Sequence, residues 1–385
     1  MTTGPVVRST PVRLGFGTIW ERPPEPTWSY IPWSLRAALR AQCDVVDVGL
    51  DLDPWQLAAL KASHLRHVRG RQRSSWRFSR TLFRLAQRSF EAGAERAACD
   101  AVLQAMPLAQ VRNAPYFVYH DAGIDALEAH RDPRTGEYPY LPGISARTTR
   151  RLREQQRAVF QGADGVFAMS SWLARSLVAR TGVDPSRIHV VHPGCNTALI
   201  DEAQRDRTHG APEDGRRNRL LFIGKAFHAK GGDLVVEAFK LLRASYDPTM
   251  TLTIAGPSSV PCELPDGVRY LGRVPLSTAA SLFQTHDLFV MPSRIEPFGI
   301  VFVEALANGM PCIGRDDFEM PVLIQPGRNG DLITRDDVDE LAATIVRVLE
   351  DDDVYTTCEA DRAGVAARFS WQRAAEEMLG VISRA

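Results

Sequence analysis

The chain has 385 residues, 44% of them hydrophobic and 24% charged, and its formal net charge at pH 7 is zero. This length exceeds what one ordinary core accommodates, so two domains are expected, and the composition is typical of a soluble globular protein. The neutral balance gives no support for bulk nucleic-acid binding, and no apolar run reaches the roughly 18 residues that a membrane-spanning helix needs.

The N-terminus and the cysteines indicate the compartment. Residues 1–16 lack the apolar stretch of a signal peptide. The cysteines are scattered, with no CxxC pair and no histidine cluster at zinc spacing. We therefore expect a reduced, cytoplasmic protein without a structural metal.

The first half of the chain alternates predicted strands with predicted helices. A proline- and tryptophan-rich stretch, 20–33, is expected to be an irregular loop. The alternation is typical of a parallel, doubly wound sheet. The predicted strands are 12–17, 45–48, 114–119, 166–169 and 188–191, and the predicted helices include 34–42 and 147–157.

Residues 61–90 form a basic segment without a single acidic residue. From residue 78 onward its pattern fits a helix with an apolar face and arginines elsewhere. One interpretation is a surface helix whose arginines snorkel into water. The other is a basic face that contacts anionic lipid or a phosphorylated acceptor. The basic residues are Lys61, Arg66, Arg69, Arg71, Arg73, Arg77, Arg80, Arg84 and Arg88.

The predicted strand 114–119 places His120 and Asp121 at its carboxyl end. Ligands of open α/β sheets bind at that edge. From position alone, a functional and a structural role for His120 are equally supported.

A second series of strands and helices follows residues 202–218, which lack apolar periodicity and are interpreted as a linker. This series predicts a second Rossmann-like domain. Its strands are predicted at 220–223, 251–255, 268–271, 288–291 and 311–313, and its helices are predicted to begin near Gly232, Ser277, Pro297 and Asp336.

Strand 220–223 ends in the loop GKAFHAKGG, in which Gly224 permits a tight turn and Lys225 and Lys230 supply two cations. Two ammonium groups and free backbone amides before a helix suit a diphosphate. The alternative is that both lysines are simply solvated. The GxxxxGK[ST] spacing is absent, so this is not a Walker loop. No GxGxxG fingerprint follows the strand, which argues against NAD or FAD.

The stretch EPFGIVFVEALANG (296–309) predicts a buried helix, with Pro297 at its first position. A carboxylate inside such a helix, Glu304, costs several kcal/mol, roughly, unless it is partnered. Ribose hydroxyls would be suitable partners for this carboxylate, and a structural salt bridge to Lys or Arg is the alternative. Glu296, in the turn, is placed to accept from sugar hydroxyls. Together with the two lysines, these carboxylates predict a nucleotide-diphosphate-sugar site.

The sequence resembles the retaining glycosyltransferases of family 4, most strongly over 219–333, where FIGKAFHAKGG, TIAGPSS, HDLFVMPS and EPFGIVFVEALANG follow the family's order. The resemblance implies the α/β GT-B fold, in which two Rossmann-like doubly wound parallel-sheet domains face each other across a cleft. It also implies an acceptor-binding domain over 1–201 plus a C-terminal helix at about 366–385, the linker 202–218, and a donor-binding domain over 219–365. The last helix is expected to open at Phe369–Trp371, the FSW motif.

The resemblance also assigns catalytic roles. Lys225, where the family usually has Arg, would bind the donor diphosphate together with Lys230. Glu296 would hold hydroxyls of the donor sugar, and His120 would reach the transferred sugar from the other domain. The remaining implied contacts are Gly15, Gly17, Gly224, Val274, Phe298, Gly299, Ile300 and Glu304 for the donor, and Asp121 and Arg147 for the acceptor.

These roles imply a retaining, metal-independent transfer from a nucleoside-diphosphate sugar to an acceptor hydroxyl, with no cofactor. UDP is favoured over GDP because Pro275 and Leu276 place no carboxylate beside Val274. The acceptor stays open between a small metabolite, a lipid-linked molecule and a polysaccharide, because the family's double-glycine first loop is replaced here by tryptophan- and proline-rich sequence. The alternatives are a non-hydrolysing sugar-nucleotide epimerase and a catalytically silent, membrane-associated nucleotide-sugar-binding protein. The basic segment 61–90 would then be the contact with the inner face of the membrane.

Overall fold

A computed structural model describes residues 12–68, 71–131, 138, 144–196 and 216–385. The chain divides into two compact units, here called unit 1 (Met1–Gly194 with Trp371–Ala385) and unit 2 (Cys195–Ser370). Most of the predicted linker 202–218, and residues 69–70 of the basic segment, lie outside the described residues. Within the described ranges, no helix is both long and apolar enough to cross a membrane.

Unit 1 contains a six-stranded, wholly parallel sheet with the strand order β2-β1-β5-β6-β7-β8. A separate antiparallel hairpin pairs β3 with β4. The strands are β1 (Arg13–Gly17), β2 (Asp44–Asp47), β3 (Leu65–Val68), β4 (Arg71–Ser74), β5 (Ala101–Ala105), β6 (Tyr116–His120), β7 (Gly165–Ala168) and β8 (Ile188–Val190).

Two long helices of unit 1, α3 (Arg80–Arg96) and α5 (Ala146–Gly162), each begin at a serine whose side chain satisfies one free N–H group. The Ser79 hydroxyl accepts from the Leu82 N–H at the start of α3, and that of Ser145 accepts from the Thr148 N–H at the start of α5. The helices are α1 (Ile31–Arg40), α2 (Pro54–Ser63), α3 (Arg80–Arg96), α4 (Ile124–Leu127), α5 (Ala146–Gly162) and α6 (Ser171–Ser176), and Trp371–Ile382 at the end of the chain.

Unit 2 contains a second six-stranded parallel sheet, in the order β11-β10-β9-β12-β13-β14. This is the Rossmann order, whose direction reverses between β9 and β12, and ligands bind at the carboxyl ends of the strands beside such a reversal. The strands are β9 (Arg219–Ile223), β10 (Thr251–Ala255), β11 (Val268–Gly272), β12 (Leu288–Val290), β13 (Cys312–Arg315) and β14 (Gly330–Ile333).

The helices of unit 2 alternate with these strands, as the sequence predicts. The predicted start at Pro297 is wrong, because Gly299 has a φ of +96°, outside the helical region. The helix begins three residues after Pro297, at Ile300. The helices are α7 (Gly232–Ser245), α8 (Leu276–Thr285), α9 (Ile300–Leu306), α10 (Met320–Leu323), α11 (Val338–Leu349) and α12 (Asp352–Arg368).

The last helix, α13 (Trp371–Ile382), opens at the tryptophan of the FSW motif and packs against α1 within unit 1. The Gln42 side-chain amide donates to the Gln372 carbonyl at 3.2 Å. A Cβ at Gly194 would lie only 2.4 Å from Trp371. The chain therefore returns to unit 1 at a close contact that only glycine permits.

Two glycines of β1 are explained by packing within unit 1. A Cβ on Gly17 would lie 2.6 Å from Cε2 of Phe90, a fully buried residue of α3. A Cβ on Gly15 would meet Val48 and Val102 at 3.2 to 3.3 Å. The strand therefore needs small residues here for the helix and neighbouring strands to approach, whether or not a ligand does.

We expect Gly17→Ala to lower the free energy of unfolding by about 1–3 kcal/mol, because the added methyl overpacks against Phe90. Urea unfolding measures this change. The matched control is Gly380→Ala in α13, where a Cβ would meet nothing closer than 4.0 Å. There alanine should be neutral or stabilise by up to ~1 kcal/mol. Equal stability of Gly17→Ala and the unmodified protein would contradict this packing.

Candidate active site

The reversal point of the unit 2 sheet brings together two loops, 224–231 after β9 and 291–299 after β12. A Cβ on Gly231 would lie 2.6 Å from the Pro292 carbonyl oxygen, so only glycine fits where the loops touch. Gly231 also has a φ of +76° and precedes α7. Gly224 lies in turn 3.0 Å from the Cβ position of Gly256. Small residues thus let the loops after β9, β10 and β12 converge at one sheet edge.

Lys230 and Glu296 form an ion pair across these loops. The Lys230 Nζ donates to Glu296 Oε2 at 2.7 Å and to the Ile295 carbonyl at 3.0 Å. Each side chain is only 14% exposed. Two predicted site residues are therefore partners of each other here. A phosphate oxygen could replace the Glu296 carboxylate as the acceptor for the Lys230 ammonium group, and sugar hydroxyls could donate to the carboxylate.

The turn that carries Glu296 is held against the start of α9. A Cβ on Gly299 would lie 3.2 Å from Glu296 Cγ and 2.7 Å from the Phe302 ring. Phe298 is buried beside Phe369, with ring centroids 6.2 Å apart. The backbone of Gly299 therefore lies close to the Glu296 side chain.

Two arginines that the sequence reasoning missed fix these loops. Arg294 donates twice to Asp233, at 2.7 and 3.1 Å, and once to Asp336, at 2.6 Å. Arg315 also pairs with Asp336 and donates to the carbonyls of Pro292 and Ser293 at 3.2 Å. Both arginines lie just after the end of a predicted strand, and this position could have identified them as site residues from the sequence.

The Asp336 carboxylate is the point where these arginines meet. Burial acts to raise its pKa, but the hydrogen bonds and charges of Arg294 and Arg315 outweigh burial, so the pKa lies below its ordinary value. Asp336 stays ionised at neutral pH and ties the loop after β12 to the loop after β14.

Glu304 is buried in α9, and its carboxylate hydrogen-bonds to the side chain and backbone of Asn196. Within the described part of the chain Glu304 forms no salt bridge to Lys or Arg, the alternative that the sequence leaves open, and Asn196 is its partner there. Burial raises the pKa of Glu304 to about 7, and the bonds to Asn196 only partly oppose this effect. Asn196 was not predicted; it ends the HPGCN stretch in the sequence.

In unit 1, His120 ends β6 and is 8% exposed. Its ring lies 5.3 Å from the Trp28 ring and 6.4 Å from the Phe160 ring, centroid to centroid. Burial lowers its pKa to about 3, so the imidazole is neutral at any working pH. The Asp121 carboxylate lies 3.5 Å from the imidazole Nδ1.

The remaining predicted residues occupy separate places. Lys225 is exposed on the loop after β9, and Val274 lies between β11 and α8. Arg147 is exposed in the first turn of α5. Gly15 and Gly17 belong to β1, separated from β6 by β5. Their roles toward a ligand remain predictions.

Comparison with known families follows the same division of the chain. The model of the glycosyl transferases group 1 matches residues 204–363, and that of glycosyltransferase family 4 matches residues 108–199. The chain therefore contains a segment of the glycosyl transferases group 1 and a segment of glycosyltransferase family 4. The matched ranges contain the Lys230–Glu296 pair and His120, respectively.

A curated relative in this family is D-inositol 3-phosphate glycosyltransferase 1 of Catenulispora acidiphila. It is 31% identical over 261 residues, which are 63% of this chain and 62% of the relative. The chain thus spans less than two thirds of the length of the curated relatives it matches.

Solved structures of other proteins share the fold. A sucrose-phosphate synthase from Thermosynechococcus elongatus is 17% identical with a TM-score of 0.69, over 95% of this chain and 97% of that one. HepE of Anabaena, solved with UDP and glucose, is 17% identical with a TM-score of 0.65, over 97% and 99%. The predicted fold class, two Rossmann-like α/β domains of GT-B type, is confirmed.

Glu304→Gln should change stability in a pH-dependent way. The carboxyl has a pKa of about 7 when folded and about 4.5 when unfolded, so ionisation is disfavoured by folding. Stability is therefore lost as the pH rises from 4.5 to 7. Glutamine removes this penalty, and we expect it to stabilise by up to about 3 kcal/mol more at pH 8 than at pH 4.5.

Urea unfolding at both pH values measures the difference, with Glu237→Gln on the exposed face of α7 as the control. A stability change for Glu304→Gln that is equal at the two pH values would reject the raised pKa.

Proposed function

We propose that this protein transfers a sugar from a nucleoside-diphosphate sugar to an acceptor hydroxyl, with retention at the anomeric carbon and without a metal ion. The observation that carries the proposal is the Lys230–Glu296 pair at the reversal point of a Rossmann-ordered sheet. A cation for phosphate and a carboxylate for hydroxyls stand there side by side.

Donor binding would exchange the partners of this pair. The diphosphate oxygens would accept from Lys230 and from Lys225, which lies on the same loop. Glu296, released from the ammonium group, would accept from hydroxyls of the transferred sugar. In a partly dehydrated site the two ammonium groups would stabilise the negative charge that grows on the departing diphosphate.

The other donor contacts follow from burial. The Glu304 carboxylate would accept from the ribose hydroxyls, which replace the water that burial removed. The neutral imidazole of His120 would hydrogen-bond to the transferred sugar without adding a charge near the anomeric carbon. Asp121, beside His120, and Arg147 on α5 are our candidates for acceptor contacts.

Retention is proposed without a carboxylate nucleophile. The acceptor would attack from the face that the diphosphate leaves, and a phosphate oxygen would take the proton of the acceptor hydroxyl. Catalysis then depends on positioning and on charge stabilisation.

We propose UDP as the nucleotide. Val274, Pro275 and Leu276 offer no side-chain carboxylate to read the amino group of guanine. In addition, HepE was solved with UDP and glucose. The acceptors to test are inositol 3-phosphate, the substrate named for the Catenulispora relative, a lipid-linked sugar and a polysaccharide fragment.

We expect Lys230→Ala and Glu296→Ala each to lower turnover at least about 100-fold, as loss of a charge-stabilising group does in other enzymes. Labelled UDP-, GDP-, ADP- and TDP-sugars are followed with and without acceptors, and thermal shifts with the free nucleotides report binding. The control is Lys240→Ala, which removes the exposed 2.8 Å pair with Glu237 on α7.

Turnover within threefold of the unmodified protein in either site variant would refute the site. An isomerised donor sugar would favour an epimerase. Nucleotide binding without turnover on the whole acceptor panel would favour a silent binding protein.

A second proposal concerns the basic segment 61–90: that it contacts an anionic membrane through α3. Arg80, Arg84 and Arg88 recur every four residues and are exposed. None of the three forms an ion pair with any residue that the structure describes. Arg77 differs, because it pairs with Glu21 at 2.7 Å and lies over the Trp76 ring.

Replacing Arg80, Arg84 and Arg88 by Gln should weaken binding to phosphatidylserine-containing vesicles by roughly 1 kcal/mol per arginine, and added salt should abolish the difference. Vesicle co-sedimentation measures it. A control triple, Arg269, Arg328 and Arg335 to Gln, removes the same charge from unit 2. If the α3 variant binds vesicles as the control does, the membrane proposal fails.

A further inference from the structure

Residues 28–30 adopt an unusual backbone directly before α1. Trp28, Ser29 and Tyr30 have φ values of +42°, +58° and +67°. Left-handed backbone is unfavourable for residues other than glycine, and three in succession are rarer still. Such local strain persists only when the surrounding structure holds it in place.

Both ends of this turn are anchored. Thr27 is buried, its hydroxyl accepts from the Glu21 N–H at 2.9 Å, and its own N–H donates to the Pro24 carbonyl at 3.1 Å. On the other side, the Ile31 N–H donates to the Trp28 carbonyl as α1 begins. The left-handed turn therefore has a defined position rather than a range of them.

The turn determines where the Trp28 side chain lies. Its ring lies 5.3 Å from the His120 ring at an interplanar angle of 51°. His120 is more than nine-tenths buried, and its Nδ1 has no hydrogen-bond partner among the described residues. A buried imidazole nitrogen without a partner is costly, so its surroundings must be held by other contacts.

We propose that Trp28 is the positioning residue of His120: the left-handed turn delivers the indole ring onto the imidazole, which it fixes in place and shields from water. The proposal rests on the proposed function only where it concerns turnover. The contact itself lies wholly within unit 1 and involves no ligand.

Removal of the indole should admit water to the imidazole. In the described part of the chain, the Asp121 carboxylate then lies 3.5 Å from the imidazole and the apolar Phe160 ring of α5 packs beside it. Neither of them opposes protonation with a positive charge. Because burial alone holds the pKa of His120 down, at about 3, hydration should return it toward its ordinary value.

The test is a side-chain NMR titration of the histidines in the full chain between pH 5 and 8. His120→Gln identifies the His120 signals among those of the nine histidines. In the unmodified protein we expect no titration of His120 in this range. In Trp28→Ala and Trp28→Leu we expect a midpoint inside it, and in Trp28→Phe, which keeps an aromatic ring, none.

Trp55 supplies the matched control, because it lies on α2 in the same unit and is 68% exposed. Trp55→Ala should leave His120 untitrated. The proposal is overturned if His120 titrates in the unmodified protein, or if it stays untitrated in both Trp28→Ala and Trp28→Leu. Two aliphatic replacements are used so that, if one variant folds poorly, the other still decides the outcome.

The rate of donor hydrolysis in the absence of acceptor is a second measurement. With a His120 midpoint near 6.5, only about a tenth of the imidazole is neutral at pH 5.5. The rate of Trp28→Ala relative to the unmodified protein should thus fall about tenfold between pH 8 and pH 5.5, whereas that of Trp28→Phe should not. Absence of any hydrolysis would count against the proposed function, while the NMR titration would still decide the role of Trp28.

Discussion

The Lys230–Glu296 ion pair is the interaction on which the candidate site depends. Both groups have lost most of their contact with water, and a charge in that condition is stable only beside its opposite. The loops that carry them are brought together by Gly231 and fixed by Arg294. Their convergence in turn requires the reversal of strand order between β9 and β12. The pair thus explains why the site lies at this edge of the sheet.

Two further groups are shaped by burial, in opposite directions. Burial disfavours the charged form of any side chain, so it raises the pKa of Glu304 and lowers that of His120. Near neutral pH the imidazole of His120 is thus neutral, and the carboxyl group of Glu304 is protonated in about half of the molecules. A ligand that donates hydrogen bonds to Glu304 favours its ionised form, because it replaces part of the lost hydration. Binding of such a ligand would therefore be coupled to release of a proton.

Much of the fold could be predicted because apolar runs mark the strands of both sheets. The strand β5 was missed because Gln104 interrupts its apolar run. That side chain is fully buried, and it accepts from the Leu108 and Ala109 N–H groups and donates to the Ala109 carbonyl. A polar residue that caps a loop from inside a strand looks like a surface residue in the sequence. The start of α9 was misplaced for a related reason, since the left-handed φ of Gly299 belongs to the folded turn and is not contained in the apolar pattern.

For the candidate site, the sequence identified the types of side chain but not their pairing. Lys230 and Glu296 are 66 positions apart, and each was interpreted separately as a ligand contact. That they bind each other first depends on the sheet order, which no local pattern contains. The same limit applies to Asn196 beside Glu304 and to Trp28 beside His120. In each case a chemically evident residue is held by a second one whose position only the folded chain determines. The function of the first therefore cannot be understood without the second.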